Sequence, residues 1–88
     1  MPRYLVESYT SGSAVDDARE RARRAAELGT NVRYVRTTFL PEDETVLHMF
    51  DAPSAAAVDA AGRLAALQYE RIVEAVEGAS ATSEEGER

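Results

Sequence analysis

Hydrophobic and polar residues alternate along four stretches of the chain, and this period of two predicts strands. The stretches are residues 3–9, 31–40, 45–51 and 70–77, and they are rich in Val, Ile, Leu, Phe, Tyr and Thr. Residues 41–44, Pro-Glu-Asp-Glu, predict a turn that joins the second and third strands into a hairpin. The fourth stretch is short, so a short helix is an alternative for it.

Two segments between these strands place apolar residues at intervals of three and four, which predicts amphipathic helices. Ser13 is the predicted N-cap of the first helix, and Gly29 is predicted to end it. The mixed charges of this helix, Arg21 among them, are typical of a solvated face. Ser54 is the predicted N-cap of the second helix. The predicted buried stripes are Val15, Ala18, Ala22, Ala25 and Leu28 in the first helix and Val58, Ala61, Leu64, Ala65 and Leu67 in the second.

The predicted order is strand, helix, strand, strand, helix, strand. Right-handed connections then place both helices on one face of an antiparallel sheet, with the strands in the spatial order fourth, first, third, second. This is an α+β, ferredoxin-like βαββαβ fold with a four-stranded sheet. We expect one domain over residues 1–78, followed by a disordered acidic tail over residues 79–88.

Alternation along each predicted strand sorts the side chains between the two faces of the sheet. We expect the face under the helices to hold Val6, Val35, Phe39, Leu47, Met49, Val73 and Ala75. The opposite face is then a mixture of apolar and polar residues: Leu5, Glu7, Tyr9, Tyr34, Arg36, Thr38, Val46, His48, Phe50, Ile72, Glu74 and Val76. Because so large an apolar patch usually marks an interface, we predict a homodimer of the dimeric α/β-barrel type, formed by stacking two sheets.

Composition narrows the classes of function. A chain of 88 residues buries a limited fraction of its surface, which favours the dimer. The net charge of −6 argues against binding to nucleic acid or anionic lipid, and the absence of cysteine excludes thiolate ligands, disulfides and cysteine nucleophiles. No segment reaches the roughly 20 apolar residues of a membrane helix, so we expect a cytoplasmic protein without membrane contact.

The chain's one histidine, His48, falls on the predicted mixed face together with Glu7, Glu74 and Arg36. Three interpretations stay open at this point. The histidine satisfies a carboxylate by hydrogen bonding, it binds a borderline divalent ion such as Ni²⁺ or Zn²⁺ with the glutamates, or it acts as a general base. The predicted ligand pocket beside it consists of Tyr34, Arg36, Thr38 and Phe50.

Four blocks of sequence resemble a family of small bacterial ferredoxin-like domains described as nickel-binding-protein-like. The blocks are residues 1–7 (MPRYLVE), 34–45 (YVRTTFLPEDET), 48–54 (HMFDAPS) and 70–76 (ERIVEAV). The resemblance implies a homodimer with stacked sheets and nickel bound near the dimer interface. It also implies that His48 occupies the family's hairpin histidine position and that Glu7 and Glu74 occupy its acidic positions.

Together these observations predict a homodimeric protein that binds a divalent transition metal, with nickel favoured, through His48 and Glu7 or Glu74. The main alternative is a cofactor-free enzyme of the dimeric α/β-barrel type, a monooxygenase or an isomerase, in which His48 is the base for a small organic substrate. A third hypothesis is a dimerisation module without a ligand. The sequence therefore leaves open whether the protein is an enzyme.

Overall fold

The chain folds into four strands and two helices in the predicted order. The structure is a computed structural model and describes residues 1–76, so the predicted tail at 79–88 lies outside the described residues. The elements are β1 (Arg3–Tyr9), α1 (Val15–Leu28), β2 (Arg33–Leu40), β3 (Thr45–Asp51), α2 (Ala55–Leu64) and β4 (Arg71–Ala75). Over the described part of the chain the strand bounds agree with the prediction to within two residues, whereas α2 ends at Leu64, three residues before the last position of its predicted stripe, Leu67.

The strands form one antiparallel sheet in the order β2-β3-β1-β4. This is the ferredoxin-like arrangement predicted from the element order. Both helices pack on one face of the sheet, where Val6 and Phe50 join Ala22 and Ala25 of α1 and Val58 and Ala61 of α2 in one buried cluster. Within residues 1–76, neither helix is long and apolar enough to cross a lipid bilayer.

The predicted division of strand residues between the two faces is partly wrong. Val6 and Phe39 do lie on the helix side, whereas Leu47, Met49, Val73 and Ala75 lie on the open face. Conversely, the helix side receives six residues that are predicted for the open face: Tyr34, Val46, His48, Phe50, Ile72 and Glu74. The open face nevertheless has no helix over it among the described elements.

Two features of the sheet explain this difference. The register pairs Val6 with His48 and Glu7 with Leu47, and paired residues share a face. A register shift between Tyr34 and Arg36 then reverses the alternation within β2. Such a bulge adds a residue to one strand, so side chains beyond it change faces relative to a regular count.

The helix starts follow local hydrogen bonding. Ser54 caps α2 as predicted, because its Oγ accepts a hydrogen bond from the Ala57 backbone N–H at 3.1 Å. The prediction for Ser13 is wrong: a 3₁₀ turn over Gly12–Ala14 precedes α1, and the Ser13 hydroxyl bonds that of Ser11 at 3.0 Å instead of capping the helix. Ala14 stands at the N-cap position of α1, so the first turn of this helix has no side-chain cap.

Gly29 ends α1, as predicted, but its special role is close packing. Its N–H donates to the Ala25 carbonyl at 2.8 Å, and its φ of −81° is open to any residue. A Cβ at this position would lie 2.5 Å from the Ala61 Cβ on α2. The absence of a side chain at Gly29 therefore lets the end of α1 approach the middle of α2.

We predict that Gly29→Ala lowers the free energy of unfolding by about 1–3 kcal/mol, because the added methyl forces the helices apart. Chemical denaturation measures the change. Gly12→Ala is the matched control, since a Cβ there meets the Phe39 ring at an ordinary 3.6 Å. Equal stability of the two variants would contradict the close helix contact.

Candidate functional site

His48 lies at the centre of the sheet on the helix side and is completely enclosed, with 0% of its surface exposed. Its Nδ1 is 2.8 Å from the Thr37 Oγ1 on the neighbouring strand β2. The Thr37 hydroxyl is in turn 2.7 Å from the Tyr34 hydroxyl. The β2 bulge brings Tyr34 and Thr37 to the same face, so the three side chains form one hydrogen-bonded row.

Burial sets the charge state of this imidazole. Desolvation lowers the pKa of His48 from its ordinary value of 6.5 to about 4, so the ring is neutral at pH 7. Its Nε2 is buried and has no hydrogen-bond partner among the described residues. A buried polar atom without a partner is uncommon in folded proteins, which makes this nitrogen the least satisfied group of the core.

The structure does not bring the three predicted metal ligands together. Glu7 lies on the open face, where its Oε1 accepts a hydrogen bond from the Arg71 Nε at 2.6 Å. Glu74 is exposed on β4, where it pairs with Tyr4 of β1. His48 pairs with Val6, which lies two residues further along β1. Within residues 1–76, no group of three His, Asp or Glu side chains is placed to hold a metal ion.

Stacking of two sheets does not supply the missing nitrogen either. The open faces would meet in such a dimer, whereas His48 lies on the helix side of each sheet. Its imidazole is therefore separated from the interface by its own sheet. The residues present do not fit the nickel site that the family resemblance implies.

The four residues of the predicted ligand pocket are also divided by the sheet. Tyr34 and Phe50 lie on the helix side and pack edge to face, with ring centroids 5.9 Å apart. Arg36 and Thr38 are exposed on the open face, paired with Met49 and Leu47. The bulge causes this separation, because it places Tyr34 and Arg36 on opposite faces.

A separate cleft opens at the other end of the helix side. It has a volume of about 830 Å³ and lies between the first half of α1, the second half of α2 and the end of β1. Residues 66–70, which connect α2 to β4, form its remaining wall. Three separate segments of the chain thus converge on one concave surface.

Two matching ion pairs line the walls of this cleft. On α1 the Arg21 Nε is 3.0 Å from the Asp17 carboxylate, and on α2 the Arg63 Nε is 2.9 Å from the Asp59 carboxylate. Both pairs have the i, i+4 spacing of helical neighbours. Arg21 also donates to the Ala66 carbonyl at 3.3 Å, which connects α1 to the opposite wall.

The wall at Ala66 is shaped by the way α2 ends. Ala66 has a φ of 56°, in the left-handed region that disfavours residues with a Cβ. Its N–H bonds the Arg63 carbonyl at 3.2 Å, and the Leu67 N–H bonds the Gly62 carbonyl at 2.8 Å. This is the Schellman hydrogen-bond pattern, and it turns the chain so that residues 66–70 face α1.

The cleft contains a polar floor. Ser8 is only 8% exposed, and its hydroxyl makes no hydrogen bond with any residue in the described part of the chain. It pairs with Val46, two residues along the strands from the Val6–His48 pair, on the same face of the sheet. Diagonal neighbours of this kind are about 7–8 Å apart, so the cleft floor lies close to the buried histidine.

The sequence interpretation did not identify this cleft. Arg21 was assigned to a solvated helix face, and Ser8, Arg63 and Glu70 received no role. A signal was present: each helix carries an Asp followed four residues later by an Arg, at residues 17 and 21 and at residues 59 and 63. Nothing in the sequence alone indicates that these two pairs face the same space.

No protein-family model and no curated protein matches this sequence. Among solved structures, the chain is similar to the crystal structure of SCO4226 from Streptomyces coelicolor A3(2), with a TM-score of 0.66 and 21% identity. The match covers 83% of this chain and 94% of that chain. The neighbour has the same fold, and at this identity the likeness bears on the fold alone.

We predict that the ring protons of His48 titrate with a pKa of about 4 in an NMR pH series. Because the unfolded chain takes up this proton near pH 6.5, the free energy of unfolding falls as the pH is lowered from about 6.5 towards 4. His48→Gln removes that part of the pH dependence. A pKa near 6.5 in the folded protein would show that the imidazole is in contact with water.

Proposed function

We propose that this protein binds a small organic molecule in the cleft between α1, α2 and the end of β1. The observation that carries the proposal is the cleft itself, since about 830 Å³ is within the range of roughly 300–1,000 Å³ typical of small-molecule sites. Its lining is charged and hydroxylated rather than mainly apolar. This favours a polar ligand over a hydrocarbon-like one.

The cleft is held in shape before any ligand arrives. The Arg21 hydrogen bond to Ala66 spans its two sides, and the Arg63–Asp59 pair fixes the rim on α2. The floor residue Ser8 belongs to the centrally placed strand β1. A site built on fixed elements loses less conformational entropy on binding than one that must first be ordered.

His48 supports this cleft and does not act as its base. The imidazole is fully enclosed and held by Thr37, and a general base must reach the proton that it removes. Nickel binding is not part of the proposal, because Glu7 and Glu74 lie apart from His48. The proposed ligand, a small organic molecule, belongs to the same class as the substrate of the enzyme that the sequence suggests as the main alternative.

We further propose that the working form is a homodimer in which the open faces of two sheets stack. The centre of the open face is apolar, and none of the described helices covers it. Its apolar residues are Leu5, Leu47, Met49, Val73 and Ala75. An apolar sheet face of this kind in a small chain favours burial against a partner.

The charges around that patch favour a second copy of the chain as the partner. At one end, Arg3 and Arg33 both bind the Asp51 carboxylate, which lowers the pKa of Asp51 to about 2. Towards the other end, Glu7 pairs with Arg71. The face thus carries both signs of charge, and a two-fold axis places self-complementary surfaces together.

The ligand proposal is tested by NMR with a library of small polar molecules. We expect binders to shift the amide signals of Ser8 and Tyr69 while leaving those of the open face unchanged. Gln68→Trp fills the cleft from its exposed wall and weakens binding at least about tenfold, whereas Leu64→Trp, on exposed α2 surface outside the cleft, does not. A library without a single cleft binder would refute the proposal.

The dimer proposal is tested by light scattering coupled to gel filtration. We expect wild type at micromolar concentration to have twice the chain mass of 9.6 kDa. Leu47→Arg places two like charges near the two-fold axis and yields the monomer. Leu64→Arg, at a residue 63% exposed on α2, stays dimeric, and a monomeric wild type would overturn the model.

A further inference from the structure

The charges that line the cleft are not balanced. Four of its five charged side chains are in the two i, i+4 pairs, Asp17 with Arg21 and Asp59 with Arg63. The fifth is Glu70, whose carboxylate forms no ion pair or side-chain hydrogen bond within residues 1–76. The unpaired charge of the cleft is therefore a single negative one.

Glu70 is held in place although its side chain is unpaired. Its backbone N–H donates to the Glu7 carbonyl at 2.7 Å, which fixes the start of β4 against β1. It follows Tyr69, which is half-buried and packs against the core. The Tyr69 ring lies beside α2, at an ordinary contact distance of 3.6 Å from the position that a Cβ at Gly62 would take.

The uncharged groups around Glu70 complement a cation. One aromatic side chain, that of Tyr69, lines the same cleft, and the face of a tyrosine ring attracts ammonium groups. The Ser8 hydroxyl on the floor is free to accept a hydrogen bond. An unpaired carboxylate, an aromatic ring and a hydroxyl form a set that recognises an organic ammonium group.

An anion is disfavoured by the same arrangement. It would compete with Asp17 or Asp59 for the arginine that each of them pairs with, and it would lie beside the unpaired Glu70. The net charge of −6 on the whole chain also raises the local concentration of cations and repels anions. Each of these effects favours a ligand of positive charge.

We infer that the ligand of this cleft is a small organic cation, an amine or a quaternary ammonium compound. This inference rests on the proposed function and specifies the chemical class that the site accepts. Glu70 supplies the counter-charge, Tyr69 contacts the alkyl ammonium group, and Ser8 accepts from a donor at the far end of the ligand.

The test is an NMR titration with four probes. Choline and putrescine are the quaternary and primary cations, 3,3-dimethylbutan-1-ol is the neutral isostere of choline, and succinate is the anion. We expect the cations to shift the signals of Ser8, Tyr69 and Glu70, with choline binding at least about tenfold more tightly than its neutral isostere. Equal affinity of choline and the alcohol would overturn the inference.

Matched variants identify the counter-charge. Glu70→Gln keeps the shape of the side chain and weakens choline binding about tenfold, while Glu42→Gln, which removes an exposed charge in the β2–β3 turn, leaves it unchanged. Equal loss in both variants would show that only overall charge matters. That result would overturn the assignment of Glu70.

The outcomes separate this inference from the proposed function. Succinate or the neutral alcohol binding in the cleft, with no response to either cation, overturns the cationic class and leaves a small-molecule site in place. If neither these probes nor the polar library shifts any cleft signal, the proposed function and this inference fail together. Choline binding that maps to the open face instead of the cleft also refutes both.

Discussion

The antiparallel pairing of β1 with β3 is the constraint on which the rest of the structure depends. It places Val6 opposite His48 and Glu7 opposite Leu47, and because side chains alternate, this one register decides what each face of the sheet contains. A slip of β3 by a single residue would move His48 to the open face while Val6 stayed on the helix side. The core, the cleft floor and the apolar open face are all consequences of the same register.

The buried row formed by Tyr34, Thr37 and His48 strengthens that register. Hydrogen bonds between enclosed polar groups depend on geometry, and an alternative pairing of the strands would break the bond between Thr37 and His48. The rest of the core is small and rich in alanine, so it offers few large side chains whose shape alone would specify the pairing. The hydrogen-bonded row of Tyr34, Thr37 and His48 therefore makes the strand pairing more specific than apolar packing alone would make it.

Local patterns in the sequence were sufficient for the elements, the strand order and the ferredoxin-like fold, because caps, turns and periodicity are properties of neighbouring residues. They were insufficient for the faces of the sheet. In β3 both alternating sets are apolar, with Val46 and Phe50 in one and Leu47 and Met49 in the other. The bulge in β2 and the left-handed turn at Ala66 carry no glycine to mark them, so the two-sided sheet and the cleft became visible only in three dimensions.

The bulge between Tyr34 and Arg36 also has a consequence for how this chain tolerates change. On β1, even-numbered residues serve the core and the cleft and odd-numbered residues serve the open face, and beyond the bulge the residues of β2 follow the opposite parity. Adjacent positions along one strand are thus subject to unrelated physical constraints. Substitutions at Leu5 or Leu47 change the open face and leave the core and the cleft floor untouched, so the two faces of this sheet are free to vary independently.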